Sequence, residues 1–305
     1  MAGLLLNFGI GRLANREYAD FPKRNMSAVP EETLSESHTQ DRLGWRSVAL
    51  FFGLTFAIAW GIFVVLVMYP DWVTAHFGEV SGHNPVFILA VYAPAMSAIS
   101  LVLFHSGPRG LGRYLARLGL WRGPAIWWGF LLVGIPAIYF AGAALKGNLA
   151  DWRFPFPSVL PALGGLLLAG MIGPVEEIGW RGFAMPLLQR FLPPLGAALL
   201  LGTVWGLWHL PAFVLSGTPQ SAWPFVPFFA GAISISVILT PMFNATRGSI
   251  LWAALFHWQL NNPIWPDGQP YDMWLFVLTA VIVTVLNWPR MIRGENAVRS
   301  IYRTA

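Results

Sequence analysis

The sequence predicts an all-α fold, a polytopic bundle of about eight transmembrane helices with both termini in the cytoplasm. Three observations predict it. Hydrophobic residues fill 56% of the 305 positions and charged residues only 11%, at a mean hydropathy of +0.57, which is outside the range of soluble domains. The apolar residues fall in runs long enough to cross ~30 Å of hydrocarbon at about 1.5 Å per helical residue. Lys and Arg alternate between loops, the charge bias that orients multispan chains.

Residues 1–46 carry six Lys or Arg against six Asp or Glu, with Pro30 and scattered Ser and Thr. That balance without a sustained apolar run predicts a cytoplasmic, largely disordered tail. The run 4–10 is too short and too glycine-broken for a secretory signal. The first span is expected at 47–69, and the loop after it holds Asp71 and Glu79 but no base. Span two, 86–105, contains Pro94, and the next loop holds Arg109, Arg113, Arg117 and Arg122 without an acid. The N-terminus and the arginine loop are therefore expected inside, and the first loop outside.

Span three is expected at 125–145, followed by an outside loop with Lys146, Asp151 and Arg153. The chain re-enters at Val159 and stays apolar to Ile172, where Gly173-Pro174 interrupts. Pro174 suits the first turn of a new helical segment. The pattern leaves open whether 159–191 is one bent span or a span plus an interfacial helix. Spans follow at 195–215, 224–243, 249–263 and 273–288. Asp267 and Asp272 place the last loop outside, while Arg290, Arg293, Arg299 and Arg303 keep a basic tail, 290–305, inside. The bundle thus occupies 47–289. Many of the 16 Trp lie near the ends of apolar runs, as aromatic belts require.

The net charge of +5 and pI near 9.9 could suggest nucleic acid, but the basic residues follow the loops. Lipid is the expected partner, and nucleic acid is not. Without cysteine the chain has no disulfide, thiol nucleophile or thiolate metal site.

Against this background the stretch Gly173-Pro174-Val175-Glu176-Glu177-Ile178-Gly179-Trp180-Arg181 stands out. A charged side chain at the bilayer centre costs at least about 2.5–3.5 kcal/mol, so it must pair, face a wet cavity or work. Glu177 and Arg181 are i, i+4, acid first, the favourable order for an ion pair. Glu176 lies about 100° away on the helix and is left free to act. Only His209 and His257 of the six histidines sit inside apolar spans; Trp205 shares a face with His209, and Asn261 with His257. Counting about 1.5 Å per residue puts these groups in one broad layer of the bilayer.

A glutamate, two imidazoles and an amide support water-driven hydrolysis of an amide bond. The carboxylate accepts a proton from water, one imidazole positions that water or protonates the leaving amine, and the other with an amide N–H stabilises an oxyanion. The same Glu176, His209 and His257 could instead hold zinc through N and O ligands. The sequence has no HExxH, no Asp within an expected span and no GxSxG serine, which sets aside other protease designs.

These residues resemble the three motifs of the CPBP family of intramembrane proteases, which includes CAAX prenyl endopeptidases and bacteriocin-processing or abortive-infection relatives. Glu176 to Arg181 matches EExxxR and His257 to Asn261 matches HxxxN/D. Trp205 to His209 matches FxxxH with Trp in place of Phe. The resemblance implies that the core lies at 159–263, that Glu176 activates water with help from His209, and that His257 and Asn261 complete the site. Glu177 with Arg181 would hold it in shape. It implies an intramembrane endopeptidase near the cytoplasmic side of a bacterial-type inner membrane. The substrate would be a membrane-associated peptide or protein, CAAX-like or a leader peptide. Two further readings remain: a non-catalytic scaffold or immunity protein keeping the fold, and a small transporter, for which no inverted repeat is found.

Overall fold

Backbone in lipid can satisfy its N–H and C=O groups only internally, and the apolar runs are accordingly helical. The computed structural model describes residues 43–303. The expectation of a disordered tail at 1–46 lies outside the described residues up to 42 and needs correction at 43–46, where Leu43 is buried and Trp45 opens the first helix; no strand occurs among the described residues.

Helix α1 spans Trp45–Met68 and gives way at Tyr69 to the short α2, Pro70–Phe77. Helix α3, Pro85–Val91, is capped by Asn84, whose side chain accepts from the Val86 N–H at 2.9 Å. Helix α4, Ala93–Leu115, meets α3 at a 52° bend. Pro94 sits there and cannot supply a helical N–H. Helix α4 continues through Gly107, at φ +62, and Pro108 into the segment expected to be loop. Arg109 and Arg113 are therefore helical, and Arg117 follows in a short 3-10 turn.

The remaining elements are α5 (Ala125–Lys146), α6 (Val159–Leu188), α7 (Pro194–Val214), α8 (Phe225–Ala245), α9 (Ile250–Leu260), α10 (Tyr271–Leu286) and α11 (Trp288–Arg293). The stretch left open by the sequence is one span, α6, interrupted at 173–175 and carrying a π-helical turn over Trp180–Ala184. Five helices are long and apolar enough to cross a membrane, six if the bent pair counts as one. Eight spans were expected. The shortfall lies in α9 and α10: α9 has 11 residues, about 16 Å of helix against a ~30 Å core. Residues 261–270 continue from it as turns and irregular chain, which is tolerated at depth only where protein or a cavity surrounds it.

Arg117, expected in a loop, is 1% exposed. Its Nε donates to the Gly248 carbonyl at 2.7 Å, and Nη1 donates to those of Gly182 and Ile301 at 2.7 and 3.0 Å. The C-terminal segment is likewise packed: Ile301 is buried, and the Tyr302 hydroxyl pairs with Ser106. Trp45, Trp72, Trp121 and Trp288 are half exposed at helix ends, as a belt demands, whereas Trp180, Trp205, Trp208 and Trp252 are buried.

Helices α7 and α8 approach closely at Gly202, where a Cβ would lie 2.7 Å from Ile233 Cα and 2.9 Å from Ser236 Cβ. The obstacle is partly backbone, which cannot swing away. Gly202→Val is expected to cost about 1–3 kcal/mol through overpacking, read as a lower melting temperature in detergent. Gly164→Ala, with nothing within 4 Å of the new methyl, is expected to leave melting unchanged or raised.

Candidate active site

The break in α6 at 173–175 lets the helix restart at Glu176, so both carboxylates enter its first turn. The π turn that follows widens the helix by one residue across Trp180 and Arg181. Glu177 is wholly buried, and its Oε1 accepts from Arg181 Nη1 at 3.0 Å. The same oxygen lies 2.8 Å from His257 Nδ1. The guanidinium also sits over the Trp205 ring, 4.9 Å from its centroid. The i, i+4 pair read from the sequence is thus a junction of α6, α7 and α9. The sequence singled out His257 but not its contact with Glu177.

Glu176 is 3% exposed and points elsewhere. Its Oε2 accepts two indole N–H groups, Trp205 at 2.9 Å and Trp180 at 3.1 Å. Trp180 was missed, although its i+4 spacing from Glu176 is legible. No hydrogen bond within the protein holds Oε1.

His209 Nδ1 lies 2.8 Å from the Trp205 carbonyl. A carbonyl only accepts, so Nδ1 carries hydrogen and the neutral ring keeps its lone pair on Nε2. The rings of Trp205, Trp208 and Phe228 enclose this imidazole. Asn261 caps the end of α9, one turn beyond His257. A Cβ on Gly173 would lie 2.8 Å from His257 Nε2 and would collide with Asn261 Nδ2. Glycine at the break is what admits both groups, a role the sequence did not disclose.

A cavity of about 100 Å³ is lined by Glu176, His209, His257 and Asn261 together with Gly173 and Phe63. All four proposed reacting groups meet there. Glu177, Arg181 and Trp205 stand outside this lining. A larger cavity of about 370 Å³ shares His209, His257 and Asn261 and runs to Trp223, Asp267 and Gln269. Its rim is at the end of the bundle where Lys146 and Asp267 pair at 2.6 Å. The arginine-bearing segments, 109–122 and 290–303, contribute nothing to its lining.

Zinc was an open alternative for Glu176, His209 and His257. Among the described residues no three His, Asp or Glu side chains gather closely enough to hold an ion. The bonds to Glu176 Oε2 and His257 Nδ1 leave Oε1 and both Nε2 atoms facing the cavity, so it is the spacing of the three side chains that does not fit a metal centre. The expectation of no aspartate within a span also needs correction: Asp272 belongs to the first turn of α10 and is 1% exposed.

Residues 157–262 match the family described as type II CAAX prenyl endopeptidase Rce1-like. The matched stretch holds Gly173, Glu176, Glu177, Arg181, Trp205, His209, His257 and Asn261. A CAAX prenyl protease 2 from Methanococcus maripaludis is 35% identical over 147 residues, covering 43% of this chain and 52% of that protein. The chain spans about half the length of this curated relative.

Removing one partner of a buried ion pair strands the other. Glu177→Ala and Arg181→Ala are each expected to destabilise by about 3–5 kcal/mol, seen as a fall in melting temperature. The double variant Glu177→Gln/Arg181→Met, which strands no charge, is expected to recover most of that loss. A double variant no better than the singles would remove the junction from the account.

Proposed function

We propose that this chain, whose residues 157–262 match the Rce1-like CAAX prenyl endopeptidase family, is an intramembrane endopeptidase that hydrolyses a peptide bond with water activated by Glu176. The observation that carries this is the shared cavity of Glu176, His209, His257 and Asn261. Two indoles steady Oε2 of the carboxylate, leaving Oε1 to take the proton from a water in the cavity. His209 presents the lone pair of Nε2, which accepts a hydrogen bond from that water and positions it, while the proton taken by Glu176 is the one returned to the leaving amine. The Asn261 amide N–H donates to the oxyanion as the tetrahedral intermediate forms. His257, fixed through Nδ1 by Glu177, forms the adjoining wall. Arg181 holds Glu177, so the two carboxylates divide the work: one fixes an imidazole, the other moves a proton.

The substrate is a membrane-associated peptide or protein, of CAAX or leader type, and its scissile bond must reach a pocket inside the bundle. The protein is an integral membrane protein, placed here in a bacterial-type inner membrane. Eight membrane segments, counting α9 and α10, bring both ends of the described stretch, residues 43 and 303, to the arginine-rich end, which the positive-inside rule assigns to the cytoplasm.

Glu176→Gln keeps an acceptor for both indoles but abolishes the base. Cleavage of quenched fluorogenic peptides by purified protein in nanodiscs is expected to drop by about 10²–10⁴-fold, with melting unchanged. Full cleavage by this variant sinks the mechanism. Unchanged cellular function without cleavage supports a scaffold instead. Gly173→Ala is expected to reduce cleavage more than stability, because its methyl displaces His257 and Asn261 while meeting little else.

A further inference from the structure

Asp272 is a buried carboxylate that the mechanism does not use. It lines the larger cavity together with His209, His257 and Asn261. Its Oδ1 accepts the Met273 N–H at 2.8 Å, a favourable arrangement at a helix N-terminus. That bond accounts for one oxygen. Nearby Asp267 is neutralised by Lys146, while Asp272 makes no ion pair among the described residues.

Two further observations describe the same cavity. The buried amide oxygens of Gln220 and Gln269 have no hydrogen-bond partner, and both residues line it. Its walls include the rings of Tyr139, Trp223 and Trp265, and no Lys or Arg reaches its lining. Two unpartnered acceptors, a buried carboxylate and aromatic faces without a cation suit an ammonium or guanidinium group, which brings three to five N–H donors and a positive charge.

We propose that this cavity is a subsite for a lysine or arginine side chain of the peptide substrate, read by Asp272. The proposal rests on the protease reading and narrows it toward peptides with a basic residue near the scissile bond.

The test uses the full chain carrying Glu176→Gln, in nanodiscs, so that binding is read without turnover. The probes are C-terminally amidated apolar peptides with a single lysine moved along the sequence, each paired with norleucine at that position. Lysine is expected to bind about tenfold more tightly at one or two positions, the size of a charge-assisted hydrogen bond. Adding Asp272→Asn, which keeps an acceptor for the Met273 N–H, is expected to bring each pair within about twofold. Arginine against citrulline removes the charge from the peptide instead, so the comparison stands even if the Asn variant folds poorly. Equal binding of lysine and norleucine at every position overturns the proposal. Cleavage by the unsubstituted protein is scored separately. A lysine preference without any cleavage keeps the subsite and discards the protease reading, while cleavage without the preference does the reverse.

Discussion

The site depends on one buried oxygen. Glu177 Oε1 faces Arg181 on its own helix and His257 on α9, and no water-exposed group can take its place. Burying such a pair costs several kcal/mol of desolvation per ion, which attraction seldom repays in full. The stabilising contribution is therefore small, and the return is positional. An imidazole 80 residues away in the chain is fixed in rotation and height against the acidic motif. With that link in place, Nδ1 of His257 is committed and only Nε2 is left for the cavity.

The other carboxylate shows why an adjacent pair is useful. Neighbouring helix residues point about 100° apart, so one sequence position can face a counter-ion while the next faces a cavity. Trp205 joins the two: its N–H goes to Glu176, its ring lies under Arg181, and its carbonyl sets the His209 tautomer. A phenylalanine there would supply the ring and the carbonyl but no donor. The indole in this chain thus adds a second N–H to Glu176 Oε2, beside that of Trp180.

The parts of this arrangement that follow helical periodicity were legible in the sequence. The Glu177–Arg181 pair, the shared face of Trp205 and His209, and the segments α1 and α5 to α8 all follow from spacing and hydropathy. What escaped depends on contacts between distant segments or on backbone shape. Gly173 looked like a simple helix interruption, and only the approach of His257 and Asn261 gives it a purpose. Arg117 read as a loop charge because three carbonyl acceptors leave no pattern in sequence. Asp272 was assigned to a loop because hydropathy windows blur helix starts by about a turn.

The length of α9 ties these points to the route of access. A full-length span at 249–263 would have filled the bundle from end to end and carried Asn261 into a packed interface. The helix instead stops after 11 residues, and the chain continues as irregular backbone whose polar groups need partners. Several are met locally: Asn262 Oδ1 accepts the Ile264 N–H at 3.0 Å, and Trp265 Nε1 donates to the Gln259 carbonyl at 3.0 Å. The space vacated by the missing turns is the larger cavity, which runs from the two imidazoles to the arginine-poor end. His257 and Asn261, one turn apart at the end of that helix, therefore border a cavity rather than a packed interface.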